Sequence, residues 1–223
     1  MTILIFLIVF TLAGCGSNKA STDAAIDMAP LALDCPTYCA EIQKNCTGAN
    51  LQYPNTDQCI HACPSYAVGT SNVADTAGNT LGCRINYAAA AATMAAVECP
   101  RAGPAGDLIN ATTLGFCSGG DACTSFCTIE IMACGSVAAP LSGNPRDAIG
   151  NPLFQYQNQN NCLTLCQADF DKRHNYSAMS VGDSLACRLN AAVTAAISVD
   201  SAKVYCAYTA DFPTGQCSGT ASP

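Results

Sequence analysis

The chain has 223 residues, a formal net charge of -7, and only 11% charged residues, well below the roughly one quarter usual in globular domains. It has no basic cluster to neutralise phosphates, which argues against nucleic acid as a partner, and the mild acidity speaks only to solubility. Seventeen cysteines against two histidines point to disulfides outside the cytoplasm and away from zinc, which favours C-x2-C pairs or paired histidines that this chain lacks.

The first segment is an export signal. Ile3 to Ala13 is an apolar run of signal-peptide length, too short to cross a bilayer as a mature helix. It ends in Leu12-Ala13-Gly14-Cys15, which resembles a bacterial lipobox, so residues 1–14 are read as a lipoprotein signal and Cys15 as the lipidated residue. The n-region, Met1-Thr2, departs from that pattern because it has no Lys or Arg, and an ordinary secretory signal is the competing reading. Residues 15–33 read as a flexible, lipid-anchored tether of small and polar residues. Ser17 stands where an acidic residue would signal retention at an inner membrane, which favours the outer membrane in a two-membrane cell.

The remaining sixteen cysteines form two runs of eight. The first is 35, 39, 46, 59, 63, 83, 99, 117 and the second 123, 127, 134, 162, 166, 187, 206, 217. One insertion and small adjustments relate them, and flanking residues repeat as well: Leu81-Gly82-Cys83-Arg84-Ile85-Asn86 against Leu185-Ala186-Cys187-Arg188-Leu189-Asn190. The fold class predicted is all-α, with two tandem disulfide-stapled three-helix modules, residues 34–118 and 122–218, joined through Gly119-Gly120-Asp121.

In the first module, Cys35, Cys39, Ile42 and Cys46 share one helical face. Asp34 is the predicted N-cap and Pro36 falls in the first turn. Thr56 is predicted to cap a second helix through Cys59 and Cys63, ending near Pro64. Asn79 or Thr80 opens a third with the stripe Leu81, Ile85, Ala88, Ala89 and Ala92. The second module repeats this, with Asp183 or Ser184 as cap and Leu185, Leu189, Ala192, Val193 and Ala196 as its stripe. Its insertion, residues 135–160, reads as a long loop. Phe154 and Tyr156 are the candidate binding residues there, against the plainer reading of a tolerated surface excursion.

Stripes of alanine bury little area, and modules of this size are marginal on packing alone. Disulfides, at about 2–4 kcal/mol each, are the natural supplement. Eight cysteines allow 105 pairings. C-x3-C facing C-x3-C on antiparallel helices predicts the rungs Cys35–Cys63 and Cys39–Cys59, and in the second module Cys123–Cys166 and Cys127–Cys162. Elimination then gives Cys46–Cys83, Cys99–Cys117, Cys134–Cys187 and Cys206–Cys217.

Candidates for chemistry are few. His61 and His174 have no nucleophile motif beside them. Arg84 and Arg188, in the repeated Cys-Arg-x-Asn, either bond an acidic cap such as Asp34 and loop carbonyls or receive a ligand carboxylate or phosphate. Neither a cofactor nor a metal site is expected.

The segments Cys35-x3-Cys39-x6-Cys46-Thr47-Gly48-Ala49-Asn50, Gly78-Asn79-Thr80-Leu81-Gly82-Cys83-Arg84 and Cys99-Pro100-Arg101-Ala102-Gly103-Pro104 resemble a family of exported, cysteine-rich bacterial lipoproteins of delta-proteobacterial and myxobacterial type. That family carries no assigned activity. Its members have histidines a few residues after Cys-Arg and flanking Cys-Pro. This chain has Tyr87, Ala191, Glu98 and Arg101 in those places, so metal or haem chemistry resting on such histidines does not carry over.

The function expected is therefore non-enzymatic. The chain reads as a lipid-anchored cell-envelope protein, facing the periplasm or the exterior, that serves structure or binds a protein or small molecule. A redox-, metal- or haem-linked envelope protein is the alternative, and a secreted hydrolase using His61 the distant one.

Overall fold

The computed structural model describes residues 31–69, 75–107 and 115–219. Cys15, the 1–14 signal and residues 16–30 of the tether lie outside the described residues. The described residues hold seven α-helices and no strand, only isolated bridges. The helices are α1 (Cys35–Asn45), α2 (Thr56–Ala62), α3 (Leu81–Ala102), α4 (Ala122–Cys134), α5 (Gln159–Asp169), α6 (Leu185–Ala195) and α7 (Val199–Tyr205). No helix among these residues is long and apolar enough to cross a membrane.

All seven begin on a side chain that accepts a backbone N–H of the first turn: Asp34, Asn55, Thr80, Asp121, Asn158, Ser184 and Ser198. Such a cap is typically worth about 1 kcal/mol, which matters for helices of two or three turns. The second helix is capped by Asn55 and not by Thr56, which becomes its first residue.

α1 packs on α3 and α4 on α6. The stripe of α3 buries Leu81, Ile85, Ala88 and Ala91, whereas Ala92 is exposed. α6 is buried along its whole run from Leu185 to Val193. Aromatic residues fill what alanine leaves open. Tyr38 meets Tyr53 and Tyr66 edge-on at 6.2 and 6.3 Å, and Phe126 meets Tyr156 and Phe170 in the same manner in the second half. The three phenols of the first half link their hydroxyls at 3.0 and 2.9 Å, and Tyr38 donates to the Ala102 carbonyl at 2.6 Å.

The sixteen cysteines form eight disulfides. The rungs Cys35–Cys63, Cys39–Cys59, Cys123–Cys166 and Cys127–Cys162 are present. The other four pairings differ from those reached by elimination. Cys46 bonds Cys99 and Cys83 bonds Cys117; likewise Cys134 bonds Cys206 and Cys187 bonds Cys217. Cys46–Cys83, Cys99–Cys117, Cys134–Cys187 and Cys206–Cys217 are therefore corrected.

The reason is a bend. Met94 has φ -139° and ψ 56° inside α3, so the helix changes direction there and delivers Cys99 to the end of α1. Cys83, in the first turn of α3, is left for the returning tail, which is held at that turn by the Gly78 N–H to Phe116 carbonyl bond of 2.8 Å. The second half makes the same bend as an outright break, α6 then α7, and the same closure through Gly182 and Gln216 at 2.8 Å. The second half thus has four helices, not three.

Gly106 lies at φ +74° where the tail returns, and a Cβ there would run into the backbone of Cys117. Gly106→Ala is expected to lower the melting temperature of the oxidised protein by several degrees, through both the left-handed backbone and the collision.

The two halves are not separate bodies. One apolar core runs from Tyr38 and Ile85 through Phe126 to Leu189 and Val193. Gln58 Nε2 donates to Thr194 Oγ1 at 3.0 Å, and Asn79 Nδ2 donates to Thr128 Oγ1 at 3.2 Å.

Candidate functional site

Arg84 and Arg188 occupy equivalent buried cradles. Arg84 donates to the Gly103 carbonyl at 2.8 Å, to Asn79 Oδ1 at 2.7 Å and to the Ser125 hydroxyl, with its guanidinium 3.9 Å from the Tyr66 ring centre. Arg188 donates to the Ala210 and Asp211 carbonyls at 3.0 and 3.1 Å and to Asp183 Oδ1 at 2.6 Å, 4.0 Å from the Phe170 ring centre. Their exposures are 0% and 1%. Each guanidinium ties the start of its helix to the loop that leaves the bend. The ligand-binding reading of Arg84 and Arg188 is corrected, because neither presents a donor to solvent. Asp34, the suggested partner, caps α1 instead.

The insertion is anchored to the core at its two ends, while residues between them are exposed. Val137 and Ala138 donate backbone N–H groups to the Tyr156 and Gln157 carbonyls at 3.1 and 2.9 Å. Leu153 and Tyr156 are buried, and the Tyr156 hydroxyl donates to the Thr209 carbonyl at 2.6 Å. Phe154 is only partly exposed. Tyr156 as a binding residue is therefore corrected: it is the second half's counterpart of Tyr53.

A groove of about 510 Å³ lies elsewhere, on the loop between α5 and α6. Arg173, His174, Asn175, Ser177, Ser180 and Ser184 give it polar atoms, with Met179 and Val181 as apolar wall. Ser177, Ser180 and Ser184 each accept a backbone N–H, from Met179, Ser177 and Cys187, which leaves their hydroxyl protons to be donated. Arg173 grips Asp171 at 2.9 and 2.8 Å and holds that carboxyl down at about 2. His174 Nε2 is 3.8 Å from the same carboxylate. The arrangement suits a small ligand that accepts hydrogen bonds and has an apolar edge. The sequence singles out His174 but carries no periodic signal for the serines around it.

No catalytic constellation accompanies the groove: among the described residues no hydrogen bond joins His174 to a serine. His61 is exposed on α2 and its Nδ1 bonds the Asp57 carbonyl at 2.8 Å, so His61→Ala is expected to leave the fold intact. No group of three or more His, Cys, Asp or Glu side chains among the described residues is placed to hold a metal ion.

A group the sequence reading passed over is Glu130 on α4. It is 0% exposed, and burial pushes its carboxyl up to about 8, against a side-chain contact with Thr209 that lowers it. Its Oε2 lies 3.3 Å from Cys134 Sγ, and Oε1 has no partner. The sulfur is in a disulfide and has no proton, so the carboxylic acid is the donor. The folded chain holds this proton more tightly than the unfolded chain, whose carboxyl titrates near 4.5. Stability from this group is full below about pH 4.5 and is lost as pH rises through about 8. Thermal melts of the oxidised protein at constant ionic strength are expected to fall across that window. Glu130→Gln is expected to flatten the slope.

Residues 16–125 match the family model described as the BfoA family C-terminal domain. The match ends on Ser125, whose hydroxyl completes the Arg84 cradle. No curated protein matches the chain, and no solved structure does.

Proposed function

We propose that the chain is a non-enzymatic cell-envelope protein, held to a membrane through lipid on Cys15, favouring the outer membrane, and that its helical body serves structure or binds a protein or small molecule. The observation that carries this reading is the pairing of all sixteen described cysteines, which leaves no free thiol among them as nucleophile or metal ligand. Further support comes from the exposed, unassisted His61 and from the groove beside His174, which offers donors without a base–nucleophile pair. The lipobox-like Leu12-Ala13-Gly14-Cys15 supports the anchor, and the family match begins one residue after Cys15.

The anchor is tested by intact mass and fractionation. The native protein is expected in the membrane fraction with acyl chains on an N-terminal cysteine, and Cys15→Ala in the soluble fraction. An unacylated native N-terminus would overturn the anchor. For the body, Ser180→Trp is expected to fill the groove without unfolding the protein and to abolish the melting shift given by small polar ligands. A shift unchanged by that variant would place binding elsewhere.

A second reading, an envelope protein linked to redox chemistry, is favoured by one observation: the buried acid Glu130 against the Cys134–Cys206 disulfide.

A further inference from the structure

The first half is an internal reference for the second. Glu130 stands where the first half has Ile42: both lie seven residues after the first cysteine of their helix and four before the last. Both are buried, beside the equivalent disulfides Cys134–Cys206 and Cys46–Cys99. An isoleucine satisfies the fold at this place. A carboxyl there is destabilising, since a buried polar atom without a partner forfeits its hydration.

The surroundings of Glu130 supply no compensating charge. Cys134 comes from its own helix, Thr209 from the 3-10 turn that follows α7, and Tyr156 from the insertion, its hydroxyl turned to the Thr209 carbonyl. No Lys, Arg or His side chain is bonded to it among the described residues. Its directed contacts are to the Cys134 sulfur and to the Thr209 side chain.

The cover over the two disulfides also differs. Cys99 sits within the 22-residue α3, whereas Cys206 follows the seven-residue α7. Around Cys206 the core is a small separate cluster with Ala133, Cys134, Leu153, Ala195 and Ala202. Short elements over small clusters are those that open locally without global unfolding.

We propose that Cys134–Cys206 is a reversibly reducible disulfide and that Glu130 carries the proton of its exchange with an external dithiol. The thiolate of the dithiol attacks Cys206 Sγ and forms a mixed disulfide. The Cys134–Cys206 bond breaks with its electron pair on Cys134 Sγ, and the Glu130 O–H proton moves to that sulfur, leaving a thiol and a carboxylate. The second thiol of the reductant, deprotonated by solvent, attacks the mixed disulfide. The carrier leaves as its own disulfide, and the released Cys206 thiolate takes a proton from solvent. Two electrons pass from carrier to cystine. In reverse, the Glu130 carboxylate takes the Cys134 proton and generates the attacking thiolate. The remaining seven disulfides stay structural, so the step is compatible with the binding role proposed above and does not depend on it.

The test is site-resolved reduction of the full oxidised protein by dithiothreitol, with alkylation and peptide mass mapping over time, for the native chain, Glu130→Gln and Glu130→Ile. Cys134 and Cys206 are expected to become alkylated about tenfold or more faster than Cys46 and Cys99. Both variants are expected to slow that pair about tenfold or more, a conservative threshold beside the roughly hundredfold or greater effect typical of proton transfer by a positioned group. A purely structural role is separated by the pH profile. After correction for the thiolate fraction of dithiothreitol, the native rate is expected to fall as pH rises through the titration of the carboxyl, and the Glu130→Gln rate to stay level. Smaller differences, or a level native profile, overturn the proposal. If Glu130→Gln does not fold, Glu130→Ile, with the residue the first half already uses, decides.

Discussion

Strong reductant at neutral pH is expected to abolish most of the helical circular-dichroism signal and the cooperative thermal transition. α2 and α7 have seven residues, α1, α5 and α6 eleven, and α4 thirteen, at or below the length at which isolated helices hold in water. Beyond Leu81 and Ile85 the buried apolar side chains of α3 other than cysteine are Ala88, Ala91 and Ala102, which gain little from leaving water. The bridges join cysteines 20 to 72 residues apart, so each removes considerable freedom from the unfolded chain, about 2–4 kcal/mol by the usual measure. Losing eight such restraints far exceeds the stability of an ordinary domain. Full helicity retained after complete reduction and alkylation would contradict this account of what holds the chain together.

Replacing Arg188 with methionine in the oxidised protein is expected to cost about 2–4 kcal/mol in denaturant unfolding. The change strands the Ala210 and Asp211 carbonyls and opens space against Phe170, and a buried acceptor without a partner costs about 1–3 kcal/mol. Arg84→Met is expected to act similarly through Gly103, Asn79 and Ser125. Arg173→Ala is the control: its side chain is 84% exposed in a surface pair, and such pairs contribute little. Equal stability for Arg188→Met and Arg173→Ala would show that the cradles are not structural.

What the sequence made legible follows from local rules. The i,i+4 spacing of Cys35 and Cys39 against Cys59 and Cys63 specified the rungs, Asp34 was readable as a cap, and Thr80 and Ser184 were each one of two adjacent choices. The bend at Met94 was not readable, because it falls in an alanine-rich stretch, interrupted only by Thr93 and Met94, with neither Gly nor Pro at the bend. That one missing bend is enough to misassign two disulfides in each half. A signal did exist in the second half, where Ser198-Val199-Asp200 is a helix start. Tyr156 was equally recoverable: Tyr53-Pro54-Asn55 and Tyr156-Gln157-Asn158 both place a tyrosine two residues before a capping asparagine. The groove by His174 was not, since its lining follows no helical or strand period.

All eight sulfur bridges close within one half, whereas the Gln58–Thr194, Asn79–Thr128 and Arg84–Ser125 bonds and the shared core cross between them. Beyond the linking backbone, covalent stitching therefore stops at a seam held by apolar packing and a few side-chain hydrogen bonds. Under mechanical load or mild denaturant the molecule is expected to give way there first, parting into two stapled lobes that can close again without any sulfur chemistry.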